Sequence, residues 1–177
     1  MATVKISPAE FPRDREVVAG LFAAYAESLN IDLSFQSFSD ELSQLPGKYA
    51  AENGGALFLA YATDVASAQV VGCVALRAFA PPVTCELKRL YVVPEARGMG
   101  AAQRLMDATF EAARNMGYSE MLLDTLASMT AAQKLYRRCG FKETNKYYNN
   151  PIDGTVFMKA VLEDVNLPSE SATKISA

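Results

Sequence analysis

Arg97-Gly98-Met99-Gly100-Ala101-Ala102 stands between an apolar run, Leu87 to Val93, that reads as a strand and an amphipathic stretch that reads as a helix. That order suits a diphosphate. The first N–H groups of a helix lack an internal partner and carry the positive end of the helix dipole, so they can receive anionic oxygens directly. The two glycines let the backbone come close, because neither carries a Cβ. A Walker loop ends in Gly-Lys-Ser/Thr, whereas Gly100 is followed by Ala101-Ala102, which excludes that ATPase class. A dinucleotide fold fits only partway. Gly98 and Gly100 begin G-x-G-x-x-G and Asp124 ends the next strand, but Gln103 occupies the third glycine position.

The chain contains no histidine, which removes Ser-His-Asp and Cys-His nucleophile systems and the common zinc sites. Proton transfer falls to Glu, Asp, Tyr, Lys or Cys, and no metal is expected. Cys73, Cys85 and Cys139 each lie in an apolar pattern, which fits buried thiols in a reducing compartment. Cys139 in particular reads as a core thiol and not as an acyl carrier. Lys and Arg total 17 against 20 Asp and Glu, so the net charge of −3 offers no broad field for nucleic acid or an anionic membrane. No run approaches the roughly 20 apolar residues that span a bilayer, and Met1 to Glu10 lacks a signal core. A soluble cytoplasmic protein is expected. With 177 residues, half of them apolar, one domain over 1–163 is expected, followed by a flexible tail, 164–177, poor in large apolar side chains.

The elements that must position the loop follow from periodicity. Val4 to Ile6 reads as a short strand. A helix capped by Asp14 carries Val18, Leu21, Phe22 and Tyr25 at helical spacing. A second helix, Phe38 to Leu45, stops before Pro46-Gly47. The intervening loop, Asn30 to Gln36, is rich in apolar residues and fits core packing and ligand binding equally well. Leu57 to Thr63 and Gln69 to Ala80 read as a hairpin, and Thr84 to Val93 as a long strand ended by Pro94. A helix from about Gly98, stopped by Gly117, leads into a strand, Glu120 to Asp124, parallel to the preceding one through the helical crossover. A last helix, capped by Ser128 and stopped by Gly140, precedes an antiparallel pair, Phe141 to Tyr147 with Thr155 to Leu162.

Taken together, "LKRLYVVPEARGMGAAQRLM", "LLDTLASMTAAQKLYRRCGF" and this order of elements resemble the GNAT superfamily of acetyl-CoA-dependent N-acyltransferases. The loop Arg97 to Ala102 is similar to the family's Gln/Arg-x-x-Gly-x-Gly/Ala loop, and Leu135-Tyr136-Arg137-Arg138-Cys139-Gly140-Phe141 to its Leu-Tyr-x-x-x-Gly-Phe motif. The resemblance implies an α/β fold of the α+β kind. Its central mixed, mostly antiparallel sheet has about six to seven strands, flanked by about four helices and splayed between the fourth and fifth strands. Where many relatives carry Asn, six residues before Leu135, this chain has Met129.

The same resemblance implies an N-acetyltransferase that uses acetyl-CoA, without a metal, and attacks the thioester directly with a primary amine of a small molecule or peptide. Arg97, Gly98, Met99, Gly100, Ala101 and Ala102 would hold the coenzyme diphosphate. Backbone groups of Leu90, Tyr91, Val92 and Val93 would bind the pantetheine arm and polarise the carbonyl. Tyr136 would protonate the departing thiolate, and Glu86 would act as base or else pair with Lys88 or Arg89. Asp124, Tyr147, Tyr148 and Asn149 are weaker candidates for the acceptor pocket. The expected partner is the amine acceptor, with neither nucleic acid nor membrane, and a homodimer is left open. The alternative is a non-catalytic acyl-CoA-binding module on the same scaffold.

Overall fold

The run Gln69 to Ala80 is apolar on both sides because both sides are covered. In the computed structural model, which describes residues 2–64 and 66–162, this run is an interior strand. Val74 and Leu76 enter a core with Leu105, Met106 and Phe110, while Cys73 and Ala75 enter a second core with Val18 and Phe22. A strand buried on two faces needs no polar alternation.

The elements in chain order are β1 (Thr3–Pro8), α1 (Arg15–Leu29), α2 (Phe38–Ser43), β2 (Ala56–Thr63), β3 (Ala68–Ala80), β4 (Thr84–Val92), α3 (Ala101–Asn115), β5 (Glu120–Thr125), α4 (Thr130–Arg138), β6 (Lys142–Glu143) and β7 (Val156–Val161). The strands form one seven-stranded sheet in the order β1-β2-β3-β4-β5-β7-β6. Every pairing is antiparallel except β4 with β5. The α/β architecture and strand count match the expectation. The tail from 164 to 177 lies outside the described residues.

Two features of β4 shape the site. Its parallel pairing with β5 covers only Thr84↔Glu120, Cys85↔Met121 and Glu86↔Leu122, and beyond that point the strands part. On its other edge, the register with β3 slips between Lys88 and Tyr91, and Arg89 sits at φ 59°. A bulge of this kind bends its strand and turns a side chain to the face it would otherwise avoid. The Arg89 and Lys88 side chains therefore both reach Gln36 on the α2 side.

Several boundaries differ from the sequence reading. Helix α3 starts at Ala101, because Gly100 takes the left-handed cap position at φ 79°. Gly117 and Gly140 follow α3 and α4 with positive φ, as expected. Asp14 precedes α1, but its carboxylate accepts the Glu10 N–H at 2.7 Å and does not cap the helix. Met129, not Ser128, occupies the capping position of α4. The closing pair is far shorter than Phe141 to Tyr147, since only Lys142 and Glu143 pair with β7. The chain leaves the ladder there because Tyr147 and Tyr148 turn inward and pack edge-on against Phe157, with ring centroids 5.2 and 5.6 Å away.

Candidate active site

At the N-terminus of α3, Gly98 and Gly100 have φ of 86° and 79°. The N–H groups of Gly98, Gly100, Ala101, Ala102 and Gln103 find no acceptor among the described residues. A Cβ placed on either glycine would meet no atom within 4 Å, so the space over the loop is open. A set of unpaired N–H groups at the positive end of a fifteen-residue helix fits a diphosphate. Arg97 is exposed at the edge of this loop, its Nε donating to the Val92 carbonyl at 3.3 Å, while Met99 donates its N–H back to Ala96.

The gap where β4 leaves β5 opens into a cleft whose empty space, together with the open solvent at its mouth, is about 530 Å³. Leu90, Asp124 and Tyr136 all line it, so three elements bring three of the candidate residues together. The three candidates that follow Leu90, namely Tyr91 and Val92 in β4 and Val93 just beyond it, do not line the cleft. Tyr91 stacks edge-on with Tyr25, Val92 pairs with Gly72, and the Val93 N–H is taken by the Val71 carbonyl at 2.9 Å. Tyr136 packs against Phe141, and its hydroxyl has no partner among the described residues. Burial holds its pKa far above the usual phenol value. Met129 lines the cleft beside it and accepts a weak contact from Thr125 Oγ1.

Glu86 stands behind the cleft, not in its wall. Only 1% exposed, it accepts the Tyr147 hydroxyl at 2.6 Å and the Arg77 Nε at 2.9 Å, with Lys88 Nζ at 3.8 Å. Burial alone would raise its pKa, but Lys88, Tyr147 and Arg77 outweigh burial and lower it. Both oxygens of this anion are engaged, which disfavours its taking a substrate proton directly. Tyr147 is thereby committed to Glu86. Tyr148 instead donates to Asp124 at 2.5 Å, and Asn150 reaches the same oxygen at 3.1 Å. Asn149 is exposed, and its neighbour Asn150 takes the cleft-lining position.

The sequence reading named Lys88 and Arg89 only as possible partners of Glu86 and Gln36 only as the end of the apolar loop, and it passed over Glu41. Arg89 is clamped by Glu41 through two hydrogen bonds, of 2.8 and 3.1 Å, and also donates to Gln36 at 3.0 Å. Lys88 Nζ lies 3.3 Å from the same Gln36 oxygen, and the Gln36 amide reaches the Tyr148 hydroxyl at 3.1 Å. A chain of contacts thus runs from Lys88 through Gln36 and Tyr148 to Asp124. Two adjacent cations inside an otherwise apolar strand, Leu87-Lys88-Arg89-Leu90, were the signal for it. The apolar loop resolves toward the cleft, with Ile31, Leu33 and Phe35 forming one wall. Cys73 and Cys85 are buried, burial pushing both thiols up to about 12, while Cys139 is only half-buried.

The splayed strands, the open loop and the Leu135 to Phe141 helix coincide with a match of residues 22–141 to the acetyltransferase (GNAT) family. This chain belongs to the GNAT family. Among GNAT relatives, an uncharacterized N-acetyltransferase of Schizosaccharomyces pombe is 37% identical over 158 residues, covering 89% of this chain and 94% of that one. One from Dictyostelium discoideum is 30% identical, covering 81% and 92%. A solved GNAT acetyltransferase of Staphylococcus aureus superposes with a TM-score of 0.73 at 18% identity, covering 91% of this chain and all of that one, which shows the shared GNAT fold. The protein is an acyltransferase, and the GNAT family in general uses acetyl-CoA. Among the described residues no helix is long and apolar enough to cross a membrane, and no three His, Cys, Asp or Glu side chains cluster to hold a metal.

Proposed function

We propose that this GNAT enzyme transfers an acetyl group from acetyl-CoA to the primary amine of a small molecule, by direct attack with both substrates bound. The observation that carries this reading is that a loop of unpaired N–H groups, Gly98 to Gln103, follows the strand β4 whose parted edge opens a cleft lined by Asp124 and Tyr136.

Acetyl-CoA supplies the activated thioester. Backbone groups at Leu90, on the edge of β4 left without a β5 partner, polarise its carbonyl. Asp124 holds the amine and accepts its proton as the C–N bond forms and the C–S bond breaks. Tyr136, kept as a neutral phenol by burial, returns a proton to the departing sulfur. Holding two substrates in register accounts for much of the rate, since a bound pair reacts at a high effective concentration. A silent acyl-CoA-binding module would need the Gly98 to Gln103 loop but not Asp124 and Tyr136 across a shared cleft.

The test is thiol release from acetyl-CoA across an amine panel, with Tyr136→Phe as the control. Release above slow hydrolysis that Tyr136→Phe reduces supports the reading. No acceptor-dependent release with any amine overturns it.

A further inference from the structure

Among the charges around the cleft, Lys88 and Asp124 are the least engaged, Glu41 holding Lys48 at 3.0 Å as well as Arg89. Arg89 satisfies Glu41, at 2.8 and 3.1 Å. Arg77 and the Tyr147 hydroxyl occupy the two oxygens of Glu86, at 2.9 and 2.6 Å. That leaves Lys88 and Asp124. Lys88 is 8% exposed and lines the cleft, yet its ammonium, with three protons to donate, has only a 3.3 Å contact to Gln36 and a 3.8 Å contact to the already engaged Glu86. Asp124 receives two neutral donors, Tyr148 and Asn150, both on the same oxygen, and its other oxygen accepts nothing among the described residues.

The leftover pair does not close on itself. Gln36 and Tyr148 stand between Lys88 and Asp124 and hold them apart on one wall. A buried cation with unused donors is costly unless an anion meets it, and a carboxylate with a free oxygen is suited to an ammonium or amine. The same cleft is also lined by the apolar, partly open side chains of Ile31, Phe35 and Ile152.

Building on the acetyl-transfer reading above, we propose that the acceptor is an α-amino acid with an apolar side chain. Asp124 takes its amine, Lys88 its carboxylate, and the Ile31, Phe35 and Ile152 wall its side chain. A simple alkylamine would leave Lys88 with only the distant, already engaged Glu86 as counter-charge, and an amino acid with a charged side chain would face hydrocarbon.

The experiment compares L-leucine, L-leucinamide, 3-methylbutylamine and L-serine as acceptors, by thiol release from acetyl-CoA, with calorimetric binding of acetyl-CoA measured in parallel. Leucine should exceed leucinamide and 3-methylbutylamine in kcat/KM by at least about tenfold, the usual worth of a charged hydrogen bond. The amide has the more weakly basic amine, so a larger neutral fraction would favour it if the carboxylate went unread. Leucine should also exceed serine by about tenfold, from the apolar area it buries. Lys88→Met should cut the leucine-to-leucinamide ratio to within about threefold, chiefly through KM, and Lys88→Arg should restore part of it. Equal use of leucine, leucinamide and 3-methylbutylamine by the unaltered enzyme overturns the amino acid assignment while acetyl transfer stands. Acetyl-CoA binding without acetylation of any of the four also overturns it. Serine matching leucine overturns the apolar specificity. Failure to bind acetyl-CoA at all overturns the underlying reading instead.

Discussion

Arg89 and Glu41 form a doubly hydrogen-bonded ion pair, with side chains only 2% and 4% exposed, that ties the bulge of β4 to helix α2. Arg89 also lies over the Phe38 ring, 5.1 Å from its centroid, so the guanidinium is enclosed by charge and aromatic surface together. Removing one partner of such a pair strands the other in a poor solvent. Glu41→Ala should therefore cost about 3–5 kcal/mol in urea denaturation. The double variant Glu41→Leu/Arg89→Met should cost less than Glu41→Ala alone.

The same pair makes stability depend on acid. Burial alone would raise the pKa of Glu41, but the hydrogen bond and charge of Arg89, with Lys48, bring it below the usual value of 4.5. Glu86 is lowered likewise, with Lys88, Tyr147 and Arg77 overcoming its burial. A carboxylate whose folded pKa is depressed stabilises fully above its unfolded value, and loses that contribution as pH falls through the folded one. Stability should therefore fall below pH of about 4.3. Denaturation curves at pH 7 and pH 3.5 should show a smaller loss for Glu41→Gln than for the unaltered protein.

Glu86 holds Tyr147 and Lys88 from behind the cleft and has both oxygens engaged. Glu86→Gln should lower kcat by no more than about tenfold, short of what loss of a general base costs. The pH dependence of kcat should keep its shape. An acidic limb that disappears in this variant would restore Glu86 as the base.

Tyr136 keeps its proton because burial disfavours the phenolate. Tyr136→Phe should lower kcat by about 10²-fold or more, with acetyl-CoA affinity within about twofold. Calorimetry and steady-state kinetics together separate this from loss of binding.

At the start of α3, Gly100 has φ 79° and borders open space, so an added methyl meets no clash but strains the backbone. Gly100→Ala should destabilise the fold by about 1 kcal/mol, the ordinary cost of a side chain in the left-handed region. The strain relaxes by moving the unpaired N–H groups, so the Kd for acetyl-CoA should rise about tenfold. Thermal melting with and without acetyl-CoA reads both effects.

The local sequence was enough to determine the glycine loop before α3, the β4–α3–β5 crossover and the helix that carries Leu135 and Tyr136. Each depends on neighbours a few residues apart: glycine conformational freedom, apolar periodicity and the cap that ends a helix. That β3 is buried on both faces emerged only with the fold, which lays one apolar core on each side of it. That Tyr136 and Asp124 line one cleft was implied by the family resemblance and is seen in the fold.

Which of the charged residues faces that cleft was decided by tertiary structure. Glu86 and Lys88 have the same parity on one strand and read alike, yet Arg77 and Tyr147, from β3 and the turn before β7, claim Glu86 and leave Lys88 underused. The bulge that turns Arg89 toward Glu41 is a mismatch between two strands, and a mismatch has no trace in either strand alone. Tyr147 left its expected ladder because its packing on Phe157, shared with Tyr148, and hydrogen bonds from the two rings to two carboxylates outweighed a few backbone pairs. Those contacts join residues 24 and 61 positions apart. Pairing at such separations depends on where the whole chain brings its burial, which local periodicity does not encode.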